Sequence, residues 1–94
     1  MAENSEATRK ARLLNKAGLH MRPAQLIVET ANRFRSEVKI GKEGEAKVNA
    51  GSLMDMIMLV AGKGAVLEIS ATGADADKAA DAVVELVESG FGED

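Results

Sequence analysis

Hydrophobic and polar residues alternate in four short stretches of this chain and recur at helical spacing in three others. Residues 8–14 alternate, with Ala11 and Leu13 on one face and Lys10 and Arg12 on the other. A loop containing Gly18 follows. Over 21–33 the apolar residues Ala24, Ile27, Val28 and Ala31, continued by Phe34, fall on one side, while Gln25, Glu29, Asn32 and Arg33 fall on the other. Residues 37–40 and 46–50 alternate around a glycine-bounded turn at 41–44, as a hairpin does. Residues 52–61 read as a short helix closed by the Gly-Lys-Gly at 62–64. Residues 65–71 alternate again, with Leu67 and Ile69 inward and Glu68 and Ser70 outward. Asp75 stands where it would cap a last helix, whose Ala76, Ala79, Ala80, Val83 and Val87 form one stripe ended by Gly90.

The order is therefore β-α-β-β-α-β-α. All four strands carry a polar face, so one side of the sheet should meet water while the helices cover the other. A ferredoxin-like α+β sandwich with one added helix has the same pattern. No linker or repeat divides the chain, and 94 residues suit one modest core, so 1–94 is expected to be a single domain. Residues 1–7 are polar and expected to fray.

Composition narrows the function. There is no cysteine and one histidine, which leaves no thiol chemistry and little with which to hold zinc, so no metal or cofactor is expected. A net charge of −3 and only two aromatic residues argue against nucleic-acid binding. No apolar run approaches the roughly 20 residues of a membrane span, and residues 1–6 do not resemble a signal peptide; a cytoplasmic domain is expected.

The single histidine, His20, lies just before Arg22 and Pro23, where the first helical pattern begins. Imidazole is nucleophilic near neutral pH and forms covalent intermediates. The first turn of a helix offers free N–H groups and partial positive charge to an anion. Arg22 adds a planar fork suited to phosphate oxygens, and Pro23 has no N–H to lose in the first turn. The group describes a histidine placed to take and hold a phosphoryl group. Taken singly, His20 could be a cap or an ordinary loop histidine, and Arg22 a solvated charge or a partner for Glu29.

The string Asn15-Lys16-Ala17-Gly18-Leu19-His20-Met21-Arg22-Pro23-Ala24 resembles the active-site loop of the histidine-containing phosphocarrier (HPr) family. Gly51-Ser52-Leu53-Met54 resembles its serine-bearing helix, and Gly62-Lys63-Gly64-Ala65 and Ala71-Thr72-Gly73-Ala74-Asp75 its later turns. The resemblance runs over about residues 8–90. It implies an open-faced β-sandwich, a four-stranded antiparallel sheet under three helices. It also implies a carrier in the phosphoenolpyruvate-dependent phosphotransferase system, taking a phosphoryl group from enzyme I and passing it to an A-type acceptor domain. By this match His20 would carry the phosphate on its δ nitrogen, and Arg22 would stabilise it. Such a carrier is a phosphoryl-transfer intermediate rather than a self-contained enzyme, and it is expected to be a monomer.

Ser52 has two readings. With Asp55 three residues on, it can cap its helix in a capping box. Family members also carry a serine here that a dedicated kinase phosphorylates, often after a basic residue, where this chain has Gly51. The helix itself is apolar almost all round, from Leu53 through Val60, and a helix lying on a sheet needs only one apolar face. The excess is expected to be exposed for docking, with Leu53, Met54 and Ile57 the docking residues by the family match. An interaction module using that patch without phosphate would share it. Met21 stands where the family usually has a small residue, and Ala17 and the ending Ser89-Gly90-Phe91-Gly92-Glu93-Asp94 resemble the nitrogen-related branch, whose carriers serve regulation.

Overall fold

A computed structural model describes residues 5–59 and 61–93 of the chain. It contains β1 (Ser5–Arg12), α1 (Met21–Ala31), β2 (Glu37–Lys42), β3 (Val48–Asn49), α2 (Leu53–Met58), β4 (Val66–Gly73) and α3 (Ala76–Glu88), then a 3-10 turn at Gly90–Gly92. The strands form one antiparallel sheet in the order β1-β4-β2-β3. β4 lies between β1 and β2; α3 packs on β1, β4 and β2, and α1 packs against α2 and α3. The result is the open-faced sandwich expected from the sequence.

Period-two alternation explains which face is buried. Ala7 and Ala11 of β1, Val38 and Ile40 of β2, and Leu67, Ile69 and Ala71 of β4 point into the core. The outer face is charged: Lys10 pairs with Glu43 at 2.8 Å, and Lys47 with Glu68 at 3.6 Å. α3 buries the five residues its sequence stripe predicts, Ala76, Ala79, Ala80, Val83 and Val87. Its alanines and those of β1 bring the helix close to the edge strand. Arg9, on the helix-facing side of β1 between the two alanines, reaches Asp77 and Asp81 at 3.2 and 3.0 Å.

Several boundaries differ from expectation. The second arm of the hairpin, expected over 46–50, pairs only at Val48–Asn49, and the strand expected over 65–71 runs Val66–Gly73. β1 begins at Ser5, so Ser5, Glu6 and Ala7 are paired with Gly73, Thr72 and Ala71 rather than frayed; residues 1–4 lie outside those described. β2 runs on through Gly41 and Lys42, because Gly41 has no side chain to strike Ala46, whose carbonyl oxygen would lie 2.6 Å from a Cβ. α1 stops at Ala31, with Asn32 as its C-cap. α2 covers only Leu53–Met58, with Leu59 as C-cap, and Val60 lies outside the described residues. The chain leaves the helix there because Ala61 and Gly64 bond the loop before α1 instead. Asp75 does precede α3, but its side chain makes no helix cap. It accepts from the Arg35 N–H at 3.0 and 3.1 Å and from the Ser36 hydroxyl at 2.7 Å. The Arg35 amide, then the Ser36 hydroxyl, hold this carboxyl below the usual aspartate range.

Candidate functional site

The loop between β1 and α1 is fixed by backbone bonds to the segment after α2. Leu13 donates to the Ala65 carbonyl at 2.9 Å and accepts from the Gly64 N–H at 2.8 Å, while Leu19 donates to the Ala61 carbonyl at 2.8 Å. Gly18 makes the close approach possible. Its φ is +69°, and a Cβ there would lie 2.4 Å from the Ala61 oxygen. Leu19 is buried, so the following residue is set at the rim.

That residue is His20, the N-cap position of α1, with extended φ/ψ of −111° and −164°. Its imidazole does not cap the helix, and its side chain is 44% exposed. The His20 carbonyl accepts the first helical bond, from the Ala24 N–H at 2.9 Å. The amides of Met21 and Arg22 therefore have no partner among the described residues, and Pro23 removes the third. Arg22 is exposed and free of any hydrogen bond or ion pair among the described residues. The structure thus brings His20, Arg22 and two open amides to one place, as the sequence predicts.

It adds two residues that the sequence reading did not single out. The chain turns back after α3 through Gly90, Phe91 and Gly92, all at positive φ (71°, 58° and 74°), with Phe91 buried. This brings the Glu93 carboxylate to His20, whose Nε2 lies 3.1 Å from Glu93 Oε1. The same oxygen accepts from Asn15 Nδ2 at 2.9 Å, and that amide also donates to the Gly18 carbonyl at 2.7 Å. Asn15 is almost wholly buried. The hydrogen bond to His20 holds the Glu93 carboxyl below the usual range, and Asn15 and the charge of Arg22 act in the same direction. A glycine-flanked aromatic near the end of the chain was the available signal for this return; nothing near His20 in sequence announces it.

Ser52 is the N-cap of α2, and its hydroxyl accepts from the Asp55 N–H at 3.2 Å. The reciprocal half of the expected capping box is missing, because the Asp55 carboxylate accepts from the Asn49 N–H at 3.2 Å instead. On α2, Met54 is 67% exposed, Ile57 37% and Met58 71%, while Met56 is buried. Leu53 is partly buried and packs against the core. Met21, which follows His20, and Leu14, in the loop after β1, are also about half exposed. A hollow of about 470 Å³ near α2, lined by Lys42, Glu45, Val48, Asp55, Met58 and Leu59, contains none of the predicted site residues. No helix among the described residues is long and apolar enough to cross a membrane.

The profile of the family described as "PTS HPr component phosphorylation site" matches residues 7–89. The chain belongs to the HPr family. It is a phosphocarrier of the phosphotransferase system, and relatives agree over nearly its whole length. The phosphocarrier protein HPr of Neisseria meningitidis (serogroup A) is 41% identical over 86% of this chain and 90% of its own. The phosphocarrier protein NPr of Proteus mirabilis is 36% identical over 92% and 96%. The crystal structure of HPr-C-His from Thermoanaerobacter tengcongensis superposes with a TM-score of 0.82 at 43% identity, covering 96% of this chain and 98% of that one.

Proposed function

We propose that His20 is the phosphoryl acceptor of this HPr-family carrier, through Nδ1, and that Arg22 neutralises the phosphate it holds. The observation that carries this reading is the open N-terminus of α1: an exposed imidazole with one nitrogen engaged by Glu93, two unpartnered amides and an unpaired arginine beside it. The engaged nitrogen is Nε2, which leaves Nδ1 for chemistry. Helix-terminus amides contribute about 0.3–1 kcal/mol each way on an exposed anion, enough to hold a phosphoryl group and little enough to let it go. The His20 ring and Arg22 are exposed, which leaves them open to groups carried by other proteins.

The donor is enzyme I and the acceptor an A-type domain of the same system, met in the cytoplasm by a monomeric carrier. Met54 and Ile57, with Leu53 at their edge, form the docking face. Ser52 serves as the cap of α2, its hydroxyl oxygen accepting from the Asp55 amide; phosphorylation there by a serine kinase would keep acceptors at the helix end while adding charge beside the docking face.

Intact mass after incubation with phosphoenolpyruvate and enzyme I tests the assignment. One acid-labile phosphoryl group on the wild type, absent from His20→Ala at unchanged stability, is expected. Retained labelling of His20→Ala would remove His20 from the role. In the same assay Met54→Glu should slow loading without changing its extent, and an unchanged rate would take Met54 out of the docking face.

A further inference from the structure

A buried amide, a carboxylate and the site imidazole form one chain of contacts here. Asn15 Nδ2 is 2.7 Å from the Gly18 carbonyl and 2.9 Å from Glu93 Oε1, which in turn is 3.1 Å from His20 Nε2. Asn15 is 1% exposed, and its Oδ1 has no partner among the described residues. A buried polar oxygen left unpaired is costly, so this side chain is set to serve its other end. Both of its donors point at acceptors, one in the loop that carries His20 and one in the turn after α3. The amide ties those two segments together.

An ionised carboxylate only accepts hydrogen bonds. Glu93 is held in that form by His20 first, and by Asn15 and the charge of Arg22. His20 Nε2 must therefore bear the hydrogen of their contact, and the lone pair of the neutral ring lies on Nδ1. We propose that Glu93, braced by Asn15, is a positioning residue that keeps the His20 hydrogen on Nε2 in both the empty and the loaded carrier. The inference rests on His20 being the phosphoryl acceptor.

The consequence is chemical. In loading, the Nδ1 lone pair forms the new bond to phosphorus, the bond from phosphorus to the donor breaks, and its electron pair returns to the donor. The ring then bears a positive charge with its hydrogen still on Nε2, facing Glu93. In unloading, the Nδ1–P pair returns to a ring that leaves as neutral imidazole. Without the Nε2 hydrogen it would have to leave as imidazolate, a far poorer leaving group. Glu93 thus keeps the loaded ring in its transferable form up to higher pH. The charged groups that act on this carboxylate are His20 and, from α1, Arg22, whose positive charge opposes that of Glu93 at the ring in the wild type and in Glu93→Gln alike.

The test compares the wild type with Glu93→Gln, which keeps an acceptor oxygen but removes the charge. Both are loaded with phosphoenolpyruvate and enzyme I, separated from the donor, and followed by intact mass for loss of phosphate from pH 5 to 10. The wild-type rate should fall off at high pH, and the Glu93→Gln fall-off should come about half to one pH unit lower. Asn15→Asp, which replaces the bracing donor by a repelling carboxylate, should move the fall-off in the same direction if it folds; Glu93→Gln decides the matter if it does not. Coincident profiles for wild type and Glu93→Gln would overturn this role for Glu93. Failure of the wild type to load would instead overturn the phosphocarrier reading of His20, and this inference with it.

Discussion

The N-termini of α1 and α2 meet the same electrostatic demand in opposite ways. Each begins a helix with orphan amides and partial positive charge. At α2 the chain satisfies itself: the Ser52 hydroxyl takes the Asp55 N–H, and the Asp55 carboxylate supplies negative charge and turns back to Asn49. At α1 no side chain caps, no acidic residue sits in the first turn, and the Met21 and Arg22 amides have no partner among the described residues. An uncapped helix start is a local cost, usually about 1 kcal/mol against a good cap. It persists here because backbone bonds from the 61–65 segment hold the loop in place. Vacancy at α1 beside a nucleophile, set against closure at α2, separates the working terminus from the structural one.

The comparison can be broken from either side. The largest effect should come from Gly18→Ala, which puts a Cβ 2.4 Å from the Ala61 oxygen at a positive φ. It should cost about 2–3 kcal/mol in denaturant unfolding and slow loading as the loop shifts; a small change in both would mean the backbone tie does not set His20. Next, Arg22→Ala should slow loading about tenfold, which is about 1.4 kcal/mol, with Arg22→Lys in between because it keeps charge without the fork. Unfolding should barely change, since Arg22 makes no hydrogen bond or ion pair among the described residues, and a loss of stability instead would give it a structural part. Smallest is Ser52→Ala, expected to cost about 1 kcal/mol of stability and leave loading unchanged. A loading defect there would join α2's terminus to the chemistry.

The parts legible in the sequence are those set by local rules. The five-residue stripe of α3 follows from a 3.6 period on one buried face, and the inward residues of β4 from a period of two. The placement of His20 and Arg22 at a helix start is legible because they lie two residues apart where the apolar helical period begins. What was missed depends on distant backbone. The apolar run from Leu53 to Val60 looks like a longer helix, yet tertiary bonds between residues 61–65 and 13–19 take the chain away after Met58. Ser5–Ala7 look like a polar tail, yet β4 extends to Gly73 and pairs them. Asp75 looks like a cap, yet the 35–36 amide and hydroxyl compete for it and win. Glu93 lies 73 residues from His20, and only the positive-φ turn at 90–92 brings it back.

The most direct measurement is an amide ¹H–¹⁵N spectrum of the carrier before and after loading with phosphoenolpyruvate and enzyme I. The account predicts that the Met21 and Arg22 amides move most, together with the His20 ring nitrogens, while the Leu53–Asp55 amides at α2 hold their positions. Unmoved Met21 and Arg22 amides in a loaded carrier, or the largest shifts at Leu53–Asp55, would contradict it.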